Sequence, residues 1–494
     1  MNGLTTDDTV VVAGAGAMGA GIAQVAAAAG HRVLLYDAFE GASVRGLARI
    51  AEGLKHQVAR QRMSEAEMRR ITGLIKPVDH MEPTAGASLY IEAVPEDLEI
   101  KRKLFREFER MSEPDAIFAT NTSSISVTAI GAHLERPHRL VGMHFFNPAP
   151  VMKLVEIVSG AATDPMIAES VLATAVAWGK VAVSCRSTPG FIVNRVARPF
   201  YGEALRLREE GFSDPATIDA IMTESGGFRM GPFALMDLIG HDVNYAVTSS
   251  VFEAYFHDPR YRPSLLQKEL VDAGWLGRKT GRGLFDYTDQ AAVSSAFSEA
   301  RAGDASAEEA PLRTRASFAI GRTSVRQSDG RSAAAVEATE QSPVILYDLM
   351  LDRSSATRVA LTASPGVCPE DWRKLVAGLQ ADGFAVSRVA DRPGLVVLRT
   401  VAMLVNEAFE AQLQGVAQQS EIDNAMRFGV NYPIGPFAWA EKIGCSTVLK
   451  ALDAISAETG DPRYRPSLAL RQAAWRESIQ VAPQRESAPE STIS

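Results

Sequence analysis

The sequence predicts an α/β fold on a parallel sheet, continued by an all-α domain that occurs twice. Three observations carry this. The stretch Val10 to Asp37 reads strand, glycine turn, helix, strand, and strands then alternate with helices as far as Cys185. After Thr188-Pro189-Gly190 the apolar periodicity becomes helical. Finally, Pro189-Gly190, Arg195 and Gly231-Pro232-Phe233 return as Pro393-Gly394, Arg399 and Gly435-Pro436-Phe437, and the string DPRYRPS from Asp258 returns from Asp461. A nearly constant offset across so many points marks a duplication.

The first element is the β-branched run Val10-Val11-Val12, broken by Gly14, Gly16 and Gly19. In a strand–turn–helix context this G-x-G-x-x-G reads as a dinucleotide site of Rossmann type. Gly14 permits the tight turn, Gly16 lets the backbone approach a pyrophosphate, and Gly19 lets the helix lie close to the sheet. The helix N-terminus offers unpaired N–H groups to the phosphates. Asp37 ends the second strand, where a carboxylate accepts both ribose hydroxyls and repels a 2′-phosphate. The expected cofactor is therefore NAD. The stretch is apolar enough for a membrane helix or signal peptide, but its glycines and Asp37 exclude both readings.

A polar helical pair follows, about 41–74, expected to project from the nucleotide fold. Its Lys55, Arg60 and Arg62 read first as a solvated face. Strands are expected at Leu89 to Val94, Ile117 to Ala119, Leu140 to His144, Lys153 to Ser159 and Val181 to Cys185, with a helix from Pro165 to Gly179. The expected domains are 1–187, dinucleotide-binding with the hairpin inserted; 188–288, helical; 289–342, a mostly disordered linker poor in large apolar residues; 343–392, a small α/β remnant; 393–481, a second helical domain; and 482–494, a tail. The second half carries no glycine fingerprint.

The totals bound the function. A chain of 494 residues exceeds what one core supports. A net charge of −8 argues against a nucleic-acid partner. The three cysteines have no metal or redox spacing and read as reduced thiols of a cytoplasmic protein. No metal site and no membrane attachment are expected.

Ser123, His144 and Glu156 fall at or near the ends of neighbouring strands, and Asn194 just past the Pro-Gly break. Oxidising an alcohol to a ketone needs a hydride acceptor, a base for the hydroxyl proton and donors to hold the oxygen. His144 is the natural base, because imidazole titrates near neutrality. Glu156 would fix its tautomer and stabilise the imidazolium. Ser123 and Asn194 would hydrogen-bond the reacting oxygen or a neighbouring carbonyl. Singly, each has a plainer reading: a structural histidine, or a helix cap at Ser123. The repeat supplies a control, since it aligns His144 with Asp348, Glu156 with Ala360 and Asn194 with Leu398. The scaffold was kept and the three groups lost, which favours chemistry in the first half.

The fingerprint, Asn121-Thr122-Ser123-Ser124, HFFNPAPVMKLVEIV from His144, TPGFIVNR from Thr188 and LGRKTGRG from Leu276 resemble the L-3-hydroxyacyl-CoA dehydrogenases over about 10–287. The resemblance implies His144 as base with Glu156 as partner, and Ser123 and Asn194 at the substrate. It implies Asp37, Glu96, Lys101, Ser123, Asn147 and Lys279 near NAD, and coenzyme A gripped by the hairpin with Lys55. The second helical domain and NRVARPFY from Asn194 are most similar to members acting on 3-hydroxyadipyl-CoA, with 3-hydroxybutyryl-CoA as the alternative substrate. Arg198, one turn after Asn194, stands where many short-chain members have an aliphatic residue and would bind the distal carboxylate of an adipyl chain. Helical domains pair as dimers in that family, so a homo-oligomer or an intrachain pseudo-dimer is expected. Two other classes fit the residues less well. A 6-phosphogluconate- or hydroxyisobutyrate-type dehydrogenase relies on a lysine and lacks HFFNP. A non-enzymatic nucleotide-binding relative has no use for His144, Glu156 and Asn194 together.

Overall fold

The structure, a computed structural model, describes residues 3–288, 295–300 and 310–481. The chain divides into two compact units. One comprises residues 1–198, 242–263 and 414–435; the other comprises 199–241, 264–413 and 436–494.

The first unit is built on strands β1 (Val10–Ala13), β2 (Val33–Tyr36), β3 (Ile75–Val78), β4 (Leu89–Glu92), β5 (Ile117–Thr120), β6 (Leu140–Phe145), β7 (Leu154–Ser159) and β8 (Val181–Arg186), in the order β3-β2-β1-β4-β5-β6-β7-β8. All neighbours run parallel except β6 and β7. The central β1 is continuously apolar and wholly buried, as a strand covered on both faces requires. The order of strands reverses between β1 and β4, and in such sheets the ligand crevice lies beyond the carboxyl ends at that point.

The helical pair forms as Ala42–Ala59 and Glu65–Gly73, the second capped by the Ser64 hydroxyl on the Glu67 amide. Its base is anchored to the nucleotide fold. Ile50, Leu54 and Ile71 join the core cluster of the sheet, because each helix has one apolar stripe to bury. The hairpin returns into β3, a strand the sequence reading did not separate from it.

The second unit carries β9 (Ser317–Ile320), β10 (Thr323–Gln327), β11 (Val344–Tyr347), β12 (Arg358–Ala363) and β13 (Ala385–Arg388), ordered β13-β12-β11-β10-β9. The expected linker needs correction here. Within 289–342 lie β9, β10 and the helix Ala333–Glu340. Both strands are short and half-exposed, so composition gave little sign of them. Residues 289–294, 301–309 and the expected tail 482–494 lie outside the described residues.

Parts of each helical copy fall in different units. Residues 414–435 of the second copy pack into the first unit, where helix Gln419–Gly429 lies on β7 and β8. Residues 199–241 of the first copy pack into the second unit, where helix Pro215–Glu224 lies on β12. The exchange is reciprocal. The Arg186 amide donates to the Val416 carbonyl, and the Ala390 amide to the Phe212 carbonyl, pairs related by the offset that takes Pro189 to Pro393.

Candidate active site

The turn after β1 fits the roles expected of its glycines. Gly14 has φ near +100°, and a Cβ there would sit 2.4 Å from the Ala93 carbonyl oxygen. A Cβ on Gly19 would sit 1.7 Å from the Gly14 oxygen, so helix and turn touch backbone to backbone. A Cβ on Gly16 would meet nothing within 4 Å, leaving open space. Gly16 caps helix Ala17–Ala28 with no side-chain bond and no acidic residue in the first turn. Its first N–H groups are therefore left for an anion. Asp37 is fixed at the end of β2 by the Ala15 amide at 2.7 Å and the Phe39 amide at 3.0 Å. These residues fit a dinucleotide: donors for the pyrophosphate, space for it, and a carboxylate for the ribose.

Beyond β4, Glu96 gathers the loop after β5. Its Oε1 accepts the Thr122 hydroxyl at 2.6 Å, the Ser123 amide at 3.0 Å, and the Ser124 amide and hydroxyl at 3.1 and 2.9 Å. Its other oxygen lies 3.1 Å from Lys101 Nζ. Burial pushes the carboxyl up, but the Lys101 charge and the two hydroxyls outweigh it and hold it at about 2. Lys101, expected at the cofactor, is instead buried behind Glu96, bonded also to Glu92 at 2.6 Å. Glu92 completes a wholly buried ion pair and takes the Thr120 hydroxyl at 2.6 Å. Its carboxyl is raised, burial outweighing Lys101. The sequence reading missed Glu92, although an acid inside the apolar run LYIEAV was the available signal.

β6 and β7 pair antiparallel with His144 opposite Glu156. Two successive strands thus place both side chains on one face at one level. His144 Nδ1 lies 2.7 Å from Glu156 Oε2. The other oxygen, Oε1, accepts the Ile192 amide at 3.1 Å and the Val193 amide at 2.9 Å. Glu156 is completely buried. An acceptor saturated in this way requires Nδ1 to carry the proton, which leaves Nε2 as the basic nitrogen. The rings of Phe146 and Phe191 lie 4.6 and 5.7 Å from the imidazole and shield it. Asn121, also not singled out, ties β5 to β6 by accepting the Phe145 amide at 2.8 Å.

Asn194 follows Val193 on the helical turn Val193–Val196, half-buried, one residue beyond the amides on Glu156. Ser123 is half-buried beside Glu96, and Asn147 is exposed before a cis bond to Pro148. The buried Lys180 holds that loop through the Ala149 and Met152 carbonyls at 2.6 and 2.8 Å, burial lowering its pKa. Lys55 is exposed on the hairpin. Arg198 is buried, with Nη1 3.1 Å from the Thr248 hydroxyl. Lys279 lies in the second unit, on the turn Arg278–Thr280. No helix is long and apolar enough to cross a membrane, and no cluster of metal-ligating side chains occurs, among the described residues.

Comparison with known proteins agrees with this geometry. Residues 9–188 match the NAD binding domain of 3-hydroxyacyl-CoA dehydrogenase, and residues 190–287 and 394–485 both match its C-terminal domain. Residues 325–393 match the 3-hydroxybutyryl-CoA dehydrogenase reduced Rossmann-fold domain. The chain is 44% identical over 478 residues to 3-hydroxyadipyl-CoA dehydrogenase of Escherichia coli, spanning 95% of this chain and 98% of that one. It is 38% identical over 285 residues to human mitochondrial hydroxyacyl-coenzyme A dehydrogenase, spanning 56% of this chain and 90% of that one. The crystal structure of a 3-hydroxybutyryl-CoA dehydrogenase from E. coli superposes with a TM-score of 0.92 at 42% identity, over 97% of this chain and all of that one. With the NAD binding domain and both helical copies matched, and a relative 44% identical over 95% of the chain, the chain belongs to the 3-hydroxyacyl-CoA dehydrogenase family.

Proposed function

We propose that this chain oxidises the C3 hydroxyl of (3S)-3-hydroxyadipyl-CoA to the 3-oxo thioester, using NAD. The observation that carries the reaction is the His144–Glu156 pair held by the Ile192 and Val193 amides. Bound NAD supplies a hydride acceptor. His144 Nε2 takes the hydroxyl proton as the C3 hydrogen leaves with its electron pair. Glu156 keeps the Nδ1–H oriented and stabilises the imidazolium, and its own charge is stabilised by two amides. Ser123 and Asn194 orient the oxygens of the substrate. Asp37 and the N–H groups after Gly16 hold the cofactor, with Glu96 shaping the adjoining loop. Lys55 serves coenzyme A from the hairpin.

The acyl preference rests on two supports: the E. coli relative whose name specifies 3-hydroxyadipyl-CoA, and Arg198, assigned here to the distal carboxylate. The test is NADH formation at 340 nm, comparing kcat/KM on the adipyl and butyryl thioesters. A large adipyl preference is expected. A butyryl preference keeps the mechanism and removes Arg198 from substrate recognition.

A further inference from the structure

The second copy has none of the catalytic groups, yet one segment of it backs the strand and turn that hold Glu156. Four contacts fasten this segment, 414–429, within the first unit. Gln414 Oε1 accepts from Arg195 Nη1 at 2.9 Å, next to Asn194. The Val416 carbonyl accepts the Arg186 amide at 2.9 Å. Glu421 Oε1 accepts the Ser184 amide at 3.0 Å, covering the edge strand β8. At the end of helix Gln419–Gly429, a Cβ on Gly429 would sit 2.6 Å from Leu154 Cδ2 and 3.0 Å from Val193 Cγ2. Leu154 lies two residues before Glu156 and so on the same face of β7. Val193 is the residue whose amide lies 2.9 Å from Glu156 Oε1.

The repeat shows what this position does where no chemistry depends on it. Its counterpart in the second unit is Ser225, seated on β12 as Gly429 is seated on β7. The Ser225 hydroxyl donates to the Arg358 carbonyl at 2.7 Å, and Arg358 is the counterpart of Leu154. Where the helix backs a buried aspartate, then, the seat holds a side chain and a hydrogen bond. Where it backs the His–Glu pair, there is only Gly429, and Val193 and Leu154 press against its backbone.

We propose that Gly429 is a positioning residue for the catalytic pair, and that segment 414–429 of the second copy sets the depth of the Val193 amide and hence the aim of Glu156 at His144. The catalytically empty half is thereby part of the active site's support. This rests on the activity proposed above.

The experiment uses the full-length protein with Gly429→Ala, assayed for NADH formation across pH. The added methyl must displace the end of the Leu154 side chain and press on Val193 by a few tenths of an ångström, and the branched Val193 side chain has little rotamer freedom with which to yield. A kcat reduced about tenfold or more, as sub-ångström misplacement of catalytic groups produces, is expected together with a shifted acid limb of the pH–rate profile. KM for NAD and Tm are expected to stay near wild type. Gly429→Ala/Val193→Ala should restore much of kcat by relieving the contact. The matched control, Ser225→Ala, should lower Tm and leave kcat unchanged. Should Gly429→Ala fail to fold, Glu421→Ala loosens the same segment and should give the same kinetic signature. Wild-type kcat and pH profile in either variant, or a kcat that falls only with the folded fraction, overturns the proposal. A wild-type protein that forms no NADH overturns the activity itself.

Discussion

Glu156 and Asp348 hold the same backbone amides in the two copies of the repeat. Glu156 receives the Ile192 and Val193 amides; Asp348 receives those of Val396, Val397 and Leu398 at 3.0, 2.7 and 3.1 Å. Asp348 stands at the position of His144, so one shorter acid there does the anchoring that Glu156 does from the next strand. The first copy needs a glutamate because its carboxylate must also reach an imidazole. This separates a structural duty, anchoring a helical turn, from a catalytic one, orienting a base.

The separation predicts opposite phenotypes. Glu156→Gln should fold and should lose kcat by on the order of 10²–10⁴-fold, the usual worth of a positioned acid–base group. Asp348→Ala should keep kcat and lose stability, at roughly 1–3 kcal/mol for each buried amide left unpaired. Chemical denaturation and NADH assays on the same two samples check both. A fall in kcat with Asp348→Ala larger than its unfolded fraction explains would contradict the division.

Asp348 also carries a pH signature. Burial pushes its carboxyl up to about 6 despite four backbone amides, above its value in the unfolded chain. A group raised on folding favours the native state fully below the unfolded pKa, near 4, and that contribution is lost as pH rises through about 6. Relative to Asp348→Asn, wild type should therefore lose Tm between pH 4 and pH 7. A constant difference would mean that the amides hold the ionised form well below 6.

The glycine turn gives a paired test. Gly16→Ala adds a methyl to open space, so Tm should hold while KM for NAD rises about tenfold, equivalent to ~1.4 kcal/mol. Gly19→Ala puts a methyl into the Gly14 carbonyl and should not give a stable native protein. Equal NAD affinity in Gly16→Ala and wild type would show that the pyrophosphate does not approach there.

How much of this was legible in the sequence follows from the range of the interactions. The β1 turn was readable because strand, glycines, helix and Asp37 are local. His144 and Glu156 were readable as a pair because two adjacent strands bring them together across a short connection. The exchange of 414–435 and 199–241 between units was not, since helical periodicity says which face is apolar but not whose sheet it covers. The burial of Lys101 was not legible for a related reason. Its partner Glu92 ends β4 and Lys101 lies at the start of the helix that follows, and neither charge shows in the sequence that it is buried against the other. β9 and β10 were lost to composition because short, half-exposed strands carry few large apolar residues.

Lys101 supplies the next prediction. With Glu96 held at about 2, its carboxylate contributes stability above its unfolded pKa, near 4.5, and loses it as pH falls through about 2. Lys101→Met removes the charge from Glu96 and strands Glu92 in the core, a change that costs about 3–5 kcal/mol when one partner of a buried pair is removed. Acid unfolding should therefore begin at higher pH in the variant. Double substitution Glu92→Gln/Lys101→Met should recover part of the loss, because no charge is then left unpaired in the core. An unchanged acid midpoint in Lys101→Met would show that Glu96 is held down by the Thr122 and Ser124 hydroxyls alone.

Arg198 distinguishes the two candidate substrates. Its guanidinium is buried, so a carboxylate meeting it does so away from bulk water, where a hydrogen bond to a charged group is worth about 1.5–3 kcal/mol. Arg198→Leu should lower kcat/KM on 3-hydroxyadipyl-CoA by roughly 10- to 100-fold, the same energy expressed as a ratio. On 3-hydroxybutyryl-CoA, which has no distal carboxylate, it should change little. The Thr248 hydroxyl, 3.1 Å from Nη1, provides the control. Thr248→Val removes that anchor but leaves the cation, so it should weaken the adipyl preference without abolishing it. Equal losses on both thioesters in Arg198→Leu would assign the arginine to packing of the helix after Asn194, and acyl selection would then have to come from the shape of the site.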